Sequence, residues 1–521
     1  MYIFIMLLCL VVSALFSLYK QFQMLQQNSY FPSRYYKWLS GSYSPTLAIC
    51  SILFCALSFL WAKSPVVCAV LGAIVLIVRI ILAINSHKKS IKPLVFTKRV
   101  WRLYVCALLS LLALLACYLL ITSKTAKEIF LIIAVCLSCV TSLLCLLSWV
   151  ITLPIEKAFA RHFVNDAKRI LKENPNITVV GITGSYGKTT TKFILNRILS
   201  EKFNTVCTPQ SFNTPMGVVR TIRESVEAKT QVFICEMGAK NIGDIKEICD
   251  IVNPKYGIIT SVGPQHLETF KSCDNVFKTK FELADAVANN NGVCFANIDS
   301  AEINLRTNTR TDVVYFGQNT DYYIKNIVSD ASGSRFDLVL KGDTVPVHTK
   351  LLGAHSLLDI LAAAAVAYTL GVSASDIAFA VSSLKPTEHR LQLKPFYNGS
   401  LVIDDAYNSN PEGCLEAVRV IGLFEGFKKT VITPGLIELG DKEYECNYKL
   451  GEQLTKYADR IILVGKNRSK PMIDAIEKTD FDKAEVFVVS SFKEGLEIFT
   501  KSADSNSVLL IENDLPDNYL N

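Results

Sequence analysis

The stretch Thr183-Gly184-Ser185-Tyr186-Gly187-Lys188-Thr189-Thr190 carries the residue types of a phosphate cradle. Its two glycines let backbone N–H groups turn toward an anion, Lys188 supplies a cation for the outer phosphates, and Thr189 offers a hydroxyl to Mg²⁺. The strict phosphate-loop spacing places a glycine where this chain has Ile182, so the loop is a variant. More polar residues stand where neighbouring strands should end. Glu236 follows Val232–Cys235, His266 follows the apolar run from Gly257, and Lys278 and Lys280 lie just beyond. A carboxylate and an imidazole at adjacent strand ends, facing a phosphate loop, can hold Mg²⁺ that bridges nucleotide and substrate oxygens. Taken singly, Glu236 reads as a helix-capping acid and His266 as an ordinary loop histidine. Their shared position beside the loop favours chemistry.

The elements that must position these groups are legible from hydrophobic period. Thr178–Ile182 reads as a buried strand, and Phe193, Ile194, Ile198 and Leu199 as one face of the helix after it. Strand and helix patterns then alternate through Gln231–Glu236, Asp244–Ile251, Tyr256–Val262 and Val293–Asn297, which predicts a doubly wound parallel sheet with ligands at its strand C-termini. Shorter alternating runs between about Ala301 and Leu352 predict a small antiparallel excursion, followed by an Ala-rich helix over Leu357–Gly371. Beyond about Pro386 a second, Rossmann-like α/β unit is expected, with strands at Leu401–Asp404, Lys429–Pro434, Arg460–Val464, Glu485–Val489 and Val508–Ile511.

Composition divides the chain. Residues 1–150 hold thirteen Lys/Arg against the single acid Glu128, whereas the remainder is mildly acidic. A basic, apolar block before an acidic globular one suits a membrane module carrying an enzyme and argues against nucleic acid as a partner. Five apolar stretches are expected to span a bilayer: about Tyr2–Leu18, Thr46–Ala62, Val66–Ile84, Leu103–Ile121 and Ile129–Leu153. The basic loops, with Lys20, Arg34 and Lys37 in one and Lys88, Lys89, Lys92, Lys98, Arg99 and Arg102 in the other, put both in the cytosol. The N-terminus is then outside, and everything after Leu153 is cytoplasmic. Arg79 lies near the cytosolic end of the third stretch and reads as snorkelling. The sixteen cysteines show no paired spacing outside apolar runs, which suits a reducing cytosol. The expected architecture is an α-helical transmembrane bundle (1–153), an amphipathic juxtamembrane helix (154–176), a central ATP-binding α/β domain (177–385) and a C-terminal α/β domain (386–521). The juxtamembrane helix either lies along the inner leaflet or packs on the enzyme.

Gly184–Thr190, Asn213-Thr214-Pro215-Met216-Gly217, Glu236–Ala239, His266-Leu267-Glu268, Gly353-Ala354-His355-Ser356, His389-Arg390 and Asp404-Asp405-Ala406-Tyr407-Asn408-Ser409-Asn410-Pro411 stand in the order and spacing of one family. Over about residues 177–500 the chain resembles the Mur ligases. The D-D-x-Y-N-x-N-P string looks most like the MurF branch, which joins D-alanyl-D-alanine to the muropeptide. The resemblance implies ATP-driven amide formation through an acyl phosphate, with charge neutralisation and positioning in place of a covalent nucleophile. It implies that Gly184, Ser185, Tyr186, Gly187, Lys188, Thr189 and Thr190 bind ATP. Thr189 and Glu236 would hold a first Mg²⁺ and His266 a second, and Lys280, with Lys278 the competing assignment, would be carbamylated to serve a metal. Arg390 would reach the γ-phosphate from the domain junction, Asp405 the ribose, and Tyr407 and Asn408 the adenine or the reacting end.

Three departures modify this expectation. The family string H-N-x-x-N reads His355-Ser356-Leu357-Leu358-Asp359, so an acid replaces an amide on the adenine side. Where MurF-type enzymes carry a basic, Gly-containing loop near the C-terminus, this chain reads Glu512-Asn513-Asp514-Leu515-Pro516. The soluble domain that binds the UDP-sugar is replaced by the apolar block. The reading is a membrane-anchored, MurF-like ligase acting on a UDP-linked or lipid-linked envelope precursor and an amino acid or dipeptide. The alternatives are an amino-acid polymerising ligase of polyglutamate type and a catalytically silent scaffold or nucleotide sensor. The joint presence of Lys188, Thr189, Glu236, His266, Lys280 and Arg390 weighs against the silent scaffold.

Overall fold

Strand β1 (Thr178–Thr183) is buried from its second residue onward, and its position explains the placement of everything around it. In the computed structural model, residues 2–28, 30–41, 77, 81, 93–123, 141–210, 212–263, 267–406, 410–437 and 439–513 are described. The chain divides into two units, Met1–His162 and Phe163–Asn521.

In the first unit, helices α1 (Tyr2–Gln27), α2 (Pro32–Gly41), α3 (Lys98–Leu120) and the start of α4 (Thr141–Glu173) enclose a core of Leu18, Phe22, Leu25, Tyr35, Leu103, Ala107 and Cys145. Apolar side chains also cover the outside of these helices: Phe16 on α1, Val105, Leu109 and Leu112 on α3, and Leu143, Leu147 and Val150 on α4 are all exposed. Arg102 and Arg99 meet Glu156 at 2.6 and 3.7 Å. Among the described residues one helix, Thr141–Glu173, is long and apolar enough to cross a membrane. The expected spans at 46–62 and 66–84, apart from Ile77 and Ile81, lie outside the described residues, as do Arg79 and the lysines at 88, 89 and 92.

The expected break between the fifth span and the juxtamembrane helix is absent. α4 runs through Pro154 without interruption. An internal proline removes one backbone donor and crowds the preceding turn, but flanking packing can hold the helix together. From Phe163 onward the helix belongs to the second unit. There Ala167 is fully buried, and Phe163, Val164, Ile170 and Leu171 pack on the core of that unit. Asp166 accepts from Arg223 at 2.7 Å, and that guanidinium stacks 4.3 Å over the Phe163 ring. Of the two readings for this amphipathic segment, its last three turns take the one in which the enzyme covers the apolar face.

The first sheet of the second unit has the order β2-β3-β1-β4-β5-β6, with β2 Thr205–Cys207, β3 Val232–Glu236, β4 Tyr256–Ile259, β5 Val293–Asn297 and β6 Val314–Phe316. All its pairings are parallel. Both faces are therefore covered, which is why its strands are continuous apolar runs. Helices α5 (Lys188–Leu199) and α9 (Ala354–Thr369) bury one face, while α6 (Pro215–Ser225), α7 (Asp244–Val252) and α8 (Cys273–Asn289) bury the other. The antiparallel excursion is smaller than expected. It comprises β7 (Tyr322–Asp330), β8 (Gly333–Leu340) and β9 (Asp343–Thr349), because the short β6 before it extends the main sheet instead.

The second six-stranded sheet has the order β10-β11-β15-β12-β13-β14, from β10 Gln392–Pro395, β11 Leu401–Asp405, β12 Lys428–Thr433, β13 Arg460–Val464, β14 Val486–Val489 and β15 Ser507–Glu512. β10 is an antiparallel edge strand that the sequence pattern did not announce, since its four residues alternate weakly and end in Pro395. Proline is tolerated there because the edge leaves one side of the ladder open.

The seam between α4 and the enzyme core gives a direct test. Ala167→Glu would bury an unpaired carboxylate and is expected to lower stability by roughly 3 kcal/mol. Lys168→Glu, on the exposed side of the same turn, should be nearly silent. Chemical denaturation with limited proteolysis at residues 160–175 reads the difference, and equal behaviour of the two variants would contradict the packing described.

Candidate active site

β1 lies between β3 and β4, so the carboxyl ends of three adjacent strands face one crevice. β1 ends at the phosphate loop, β3 ends at Glu236, and β4 runs on into Thr260-Ser261-Val262-Gly263. The loop is pinned to that last segment. Ser185 N–H donates to Ser261 O at 2.8 Å, Tyr186 N–H to the Ser261 hydroxyl at 2.9 Å, and Gly263 N–H to the Ser185 hydroxyl at 3.0 Å. The amides of Ser185 and Tyr186 thus donate to Ser261 in this structure. The first turn of α5 beside it has leading N–H groups without intrahelical acceptors, a feature suited to an anion.

The two loop glycines are required by space as well as by conformation. Gly184 has φ +153°, and a Cβ there would lie 2.0 Å from the Thr260 hydroxyl. Gly187 has φ +82°, and its Cβ would lie 2.4 Å from Asp359 Oδ1. Lys188 folds back over the loop, its ammonium donating to Gly184 O at 2.7 Å and Ser185 O at 3.1 Å. Enclosure pushes this ammonium down to about 8; Glu236 opposes the shift and Arg390 adds to it. Thr190 stands partly exposed on the same first turn.

Glu236, 1% exposed, is the most heavily held carboxylate in the crevice. The Thr189 hydroxyl lies 3.1 and 3.0 Å from its two oxygens, Asn213 Nδ2 donates at 3.0 Å and Lys192 Nζ at 2.9 Å, while its own backbone N–H donates to Thr208. Lys192 was missed by the sequence reading. The signal was present, because residues four apart lie on one helix face and Lys192 follows Lys188 by four. The Thr189 hydroxyl and Glu236 carboxylate form a hard-oxygen pair at the head of an anion-binding helix, a donor set that fits Mg²⁺ shared with phosphate oxygens.

The structure separates the two candidate lysines of α8. Lys280 is 1% exposed, and burial first, then the charge of Lys188, holds it well below the usual lysine range. Lys278 points outward and pairs with Asp274 at 2.8 Å. His266 and Tyr407, with Asn408, lie outside the described residues.

Arg390 arrives from the junction between the sheets, held between His389 and Leu391, both in left-handed backbone conformation at φ 57° and 42°. Its charge is felt at Lys188, His355, Asp359 and Asp405. Asp405 Oδ1 accepts from Leu391 N–H at 3.2 Å, and burial raises this carboxyl against the pull of Arg390 and His355. His355, at the start of α9, is lowered by burial, and its Nδ1 has no hydrogen-bond partner. One turn on, Asp359 lies beneath the phosphate loop. Its Oδ1 accepts from the Thr191 hydroxyl at 2.8 Å, its Oδ2 is buried without a partner, and desolvation pushes the carboxyl up to about 8. A neutral acid carries one O–H donor and one acceptor, so at neutral pH Asp359 presents the bonding pattern of the amide it replaces in the family string.

That state has a signed consequence. Because the folded carboxyl titrates above its unfolded value, the folded protein holds the extra proton between about pH 4 and 8. Stability contributed here is full below the ordinary carboxylate range and is lost as pH rises to about 8, by at most about 1.4 kcal/mol per pH unit. Asp359→Asn is therefore expected to match the parent near pH 4 and to gain on it steadily to pH 8, read by denaturation at fixed salt. A gap of constant size at pH 5 and 8 would show an ionised carboxylate throughout.

Comparison with known proteins agrees with this arrangement. Residues 182–367 match the Mur ligase middle domain and residues 389–512 the Mur ligase glutamate ligase domain, together more than half of the chain. The UDP-N-acetylmuramoyl-tripeptide–D-alanyl-D-alanine ligase of Bacillus subtilis is 27% identical over 336 residues, covering 64% of this chain and 72% of that protein. The ligase of the same name from Mycobacterium bovis is 30% identical over 303 residues, covering 56% of this chain and 59% of its own length. Among solved structures, MurF from Thermotoga maritima in complex with ADP shares the fold with a TM-score of 0.61 at 24% identity, over 68% of this chain and 80% of that one. Two sheets that meet over one phosphate loop, matched by both domain models in order, place the chain in the Mur ligase family of ATP-dependent ligases.

Proposed function

We propose that this protein is a membrane-anchored, MurF-like ligase that activates a carboxylate of a peptidoglycan precursor as an acyl phosphate and joins it to D-alanyl-D-alanine or a related amino compound. The observation that carries the reading is the convergence of Lys188, Glu236 and Lys280 from one sheet with Arg390 and Asp405 from the other on a single phosphate loop. Lys188 and the head of α5 bind the outer phosphates, and Arg390 neutralises charge as the phosphoryl group moves to the substrate carboxylate. Thr189 and Glu236 hold Mg²⁺, which when bound supplies further neutralisation of phosphate charge. Lys280, which burial holds well below the usual lysine range, is suited to carbamylation. Because Arg390 and Asp405 come from the second sheet, the site is complete only when the domains meet, and water is then kept from the acyl phosphate.

The membrane assignment is supported by the apolar exterior of α1, α3 and α4 and by the charge asymmetry of residues 1–150. It places the catalytic unit in the cytosol and suits a lipid-linked acceptor. Glu512 ends β15 beside Asp405, fully buried, where a basic loop is expected of MurF-type enzymes, so the amino substrate is to be tested broadly.

The test is ADP release by the detergent-purified full chain with Mg-ATP, crossing D-alanyl-D-alanine and single amino acids against UDP-linked and lipid-linked muropeptides. Release that needs both a muropeptide and D-alanyl-D-alanine is expected, with preference for the lipid-linked acceptor. Lys188→Ala and Lys280→Ala should each lower the rate by about 100-fold or more, while Lys278→Ala stays near the parent. ATP binding without turnover on any pair would exclude the ligase assignment.

A further inference from the structure

Lys192 has no part in the chemistry above, yet its ammonium is fully buried against Glu236. It is 2.9 Å from Glu236 Oε2 and also donates to the carbonyl of Gln210. Thr189 and Asn213 serve Oε1, and Thr189 reaches both oxygens. Burying such a pair is poor value for stability, because desolvation of two ions offsets most of their attraction, whereas removal of one partner strands the other. The pair also sits against the carboxylate assigned to the divalent ion. Lys192 shares Oε2 with the Thr189 hydroxyl, while Oε1 is shared by Thr189 and Asn213.

We propose that Lys192 is a positioning residue that serves as the internal counter-cation of Glu236. It holds the carboxylate in place in the metal-free site and retains Oε2 while a divalent ion takes Oε1 with the Thr189 hydroxyl. This rests on the Mg-nucleotide reading of the crevice. Its particular content is that a lysine of the protein and a divalent ion do the same electrostatic work at one carboxylate. The tie to Gln210 extends that work to the segment leading to Asn213, so the carboxylate and its second donor are set together.

The proposal is tested on the full chain by thermal unfolding in EDTA and in Mg²⁺ alone, without nucleotide. The parent should hardly respond to Mg²⁺. Lys192→Met should unfold about 5 °C or more lower in EDTA and recover most of that in Mg²⁺, because the ion replaces the charge that Lys192 placed against Glu236. The double variant K192M/E236Q, with both charges gone, should show no Mg²⁺ response. E236Q alone should lose stability that Mg²⁺ does not restore. If Lys192→Met does not accumulate, Lys192→Gln is measured in the same way. A loss in K192M that Mg²⁺ leaves unchanged, or a response equal to that of the double variant, would make Lys192 a packing residue and overturn the proposal. The ADP-release assay is independent of this outcome. Turnover with a failed thermal test removes Lys192 from its role and leaves the ligase reading standing. A parent whose nucleotide binding ignores Mg²⁺ overturns both.

Discussion

The contact on which the rest depends is the one at Gly187, where the phosphate loop passes so close to Asp359 that no side chain fits between them. That approach ties the loop after β1 to helix α9, which starts some 170 residues later and carries His355 toward Arg390. At the other end of the loop, Gly184 lies equally close to Thr260, the first residue beyond β4. The loop is therefore clamped from both sides by backbone and short side chains. The Ser185 hydroxyl and the amides of Ser185 and Tyr186 help to keep it there, next to the head of α5.

Much of this was legible in the sequence because the relevant signals are local. The β-branched run before Gly184, the period of the helix after Lys188 and the polar residue ending each strand are read from neighbouring residues. The second sheet was legible for the same reason, strand by strand. What could not be read were pairings between distant segments. β10 is four residues long, and only its partner β11 makes it a strand. β6 looks like part of the antiparallel excursion until it is seen to bond β5. Nothing near Pro154 indicates that the helix continues, since Glu156 just beyond it is held by Arg99 and Arg102, more than fifty residues earlier in the chain.

The site divides along the same line. Lys188, Thr189 and Glu236 follow from type and spacing, whereas the choice of Lys280 over Lys278 turns on which of them faces inward across a two-residue step of α8. Family resemblance proposed the first, and burial separates them physically. Asp359 shows the reverse case. Its departure from the family string looked like an altered adenine contact, and in the fold it is a carboxyl beneath the loop whose environment favours its proton. Lys192 escaped notice despite its spacing from Lys188, because a lysine beside Phe193 and Ile194 reads as a helix-surface cation until its partner Glu236 is known.

Arg390 stands between two non-glycine residues in left-handed conformation, a local cost that persists only where the surroundings fix the backbone. Those surroundings are supplied jointly: Leu391 N–H is anchored to Asp405 in the second sheet, while the guanidinium acts on Lys188, His355 and Asp359 in the first. A residue held this way works as a logical conjunction. Its charge reaches Lys188, His355 and Asp359 only when the backbone between the sheets has this geometry and the first sheet's loop is in place, so on the proposed mechanism a half-assembled site lacks its phosphate-neutralising cation. On that mechanism, the few dihedrals that join the two sheets also guard against wasteful hydrolysis.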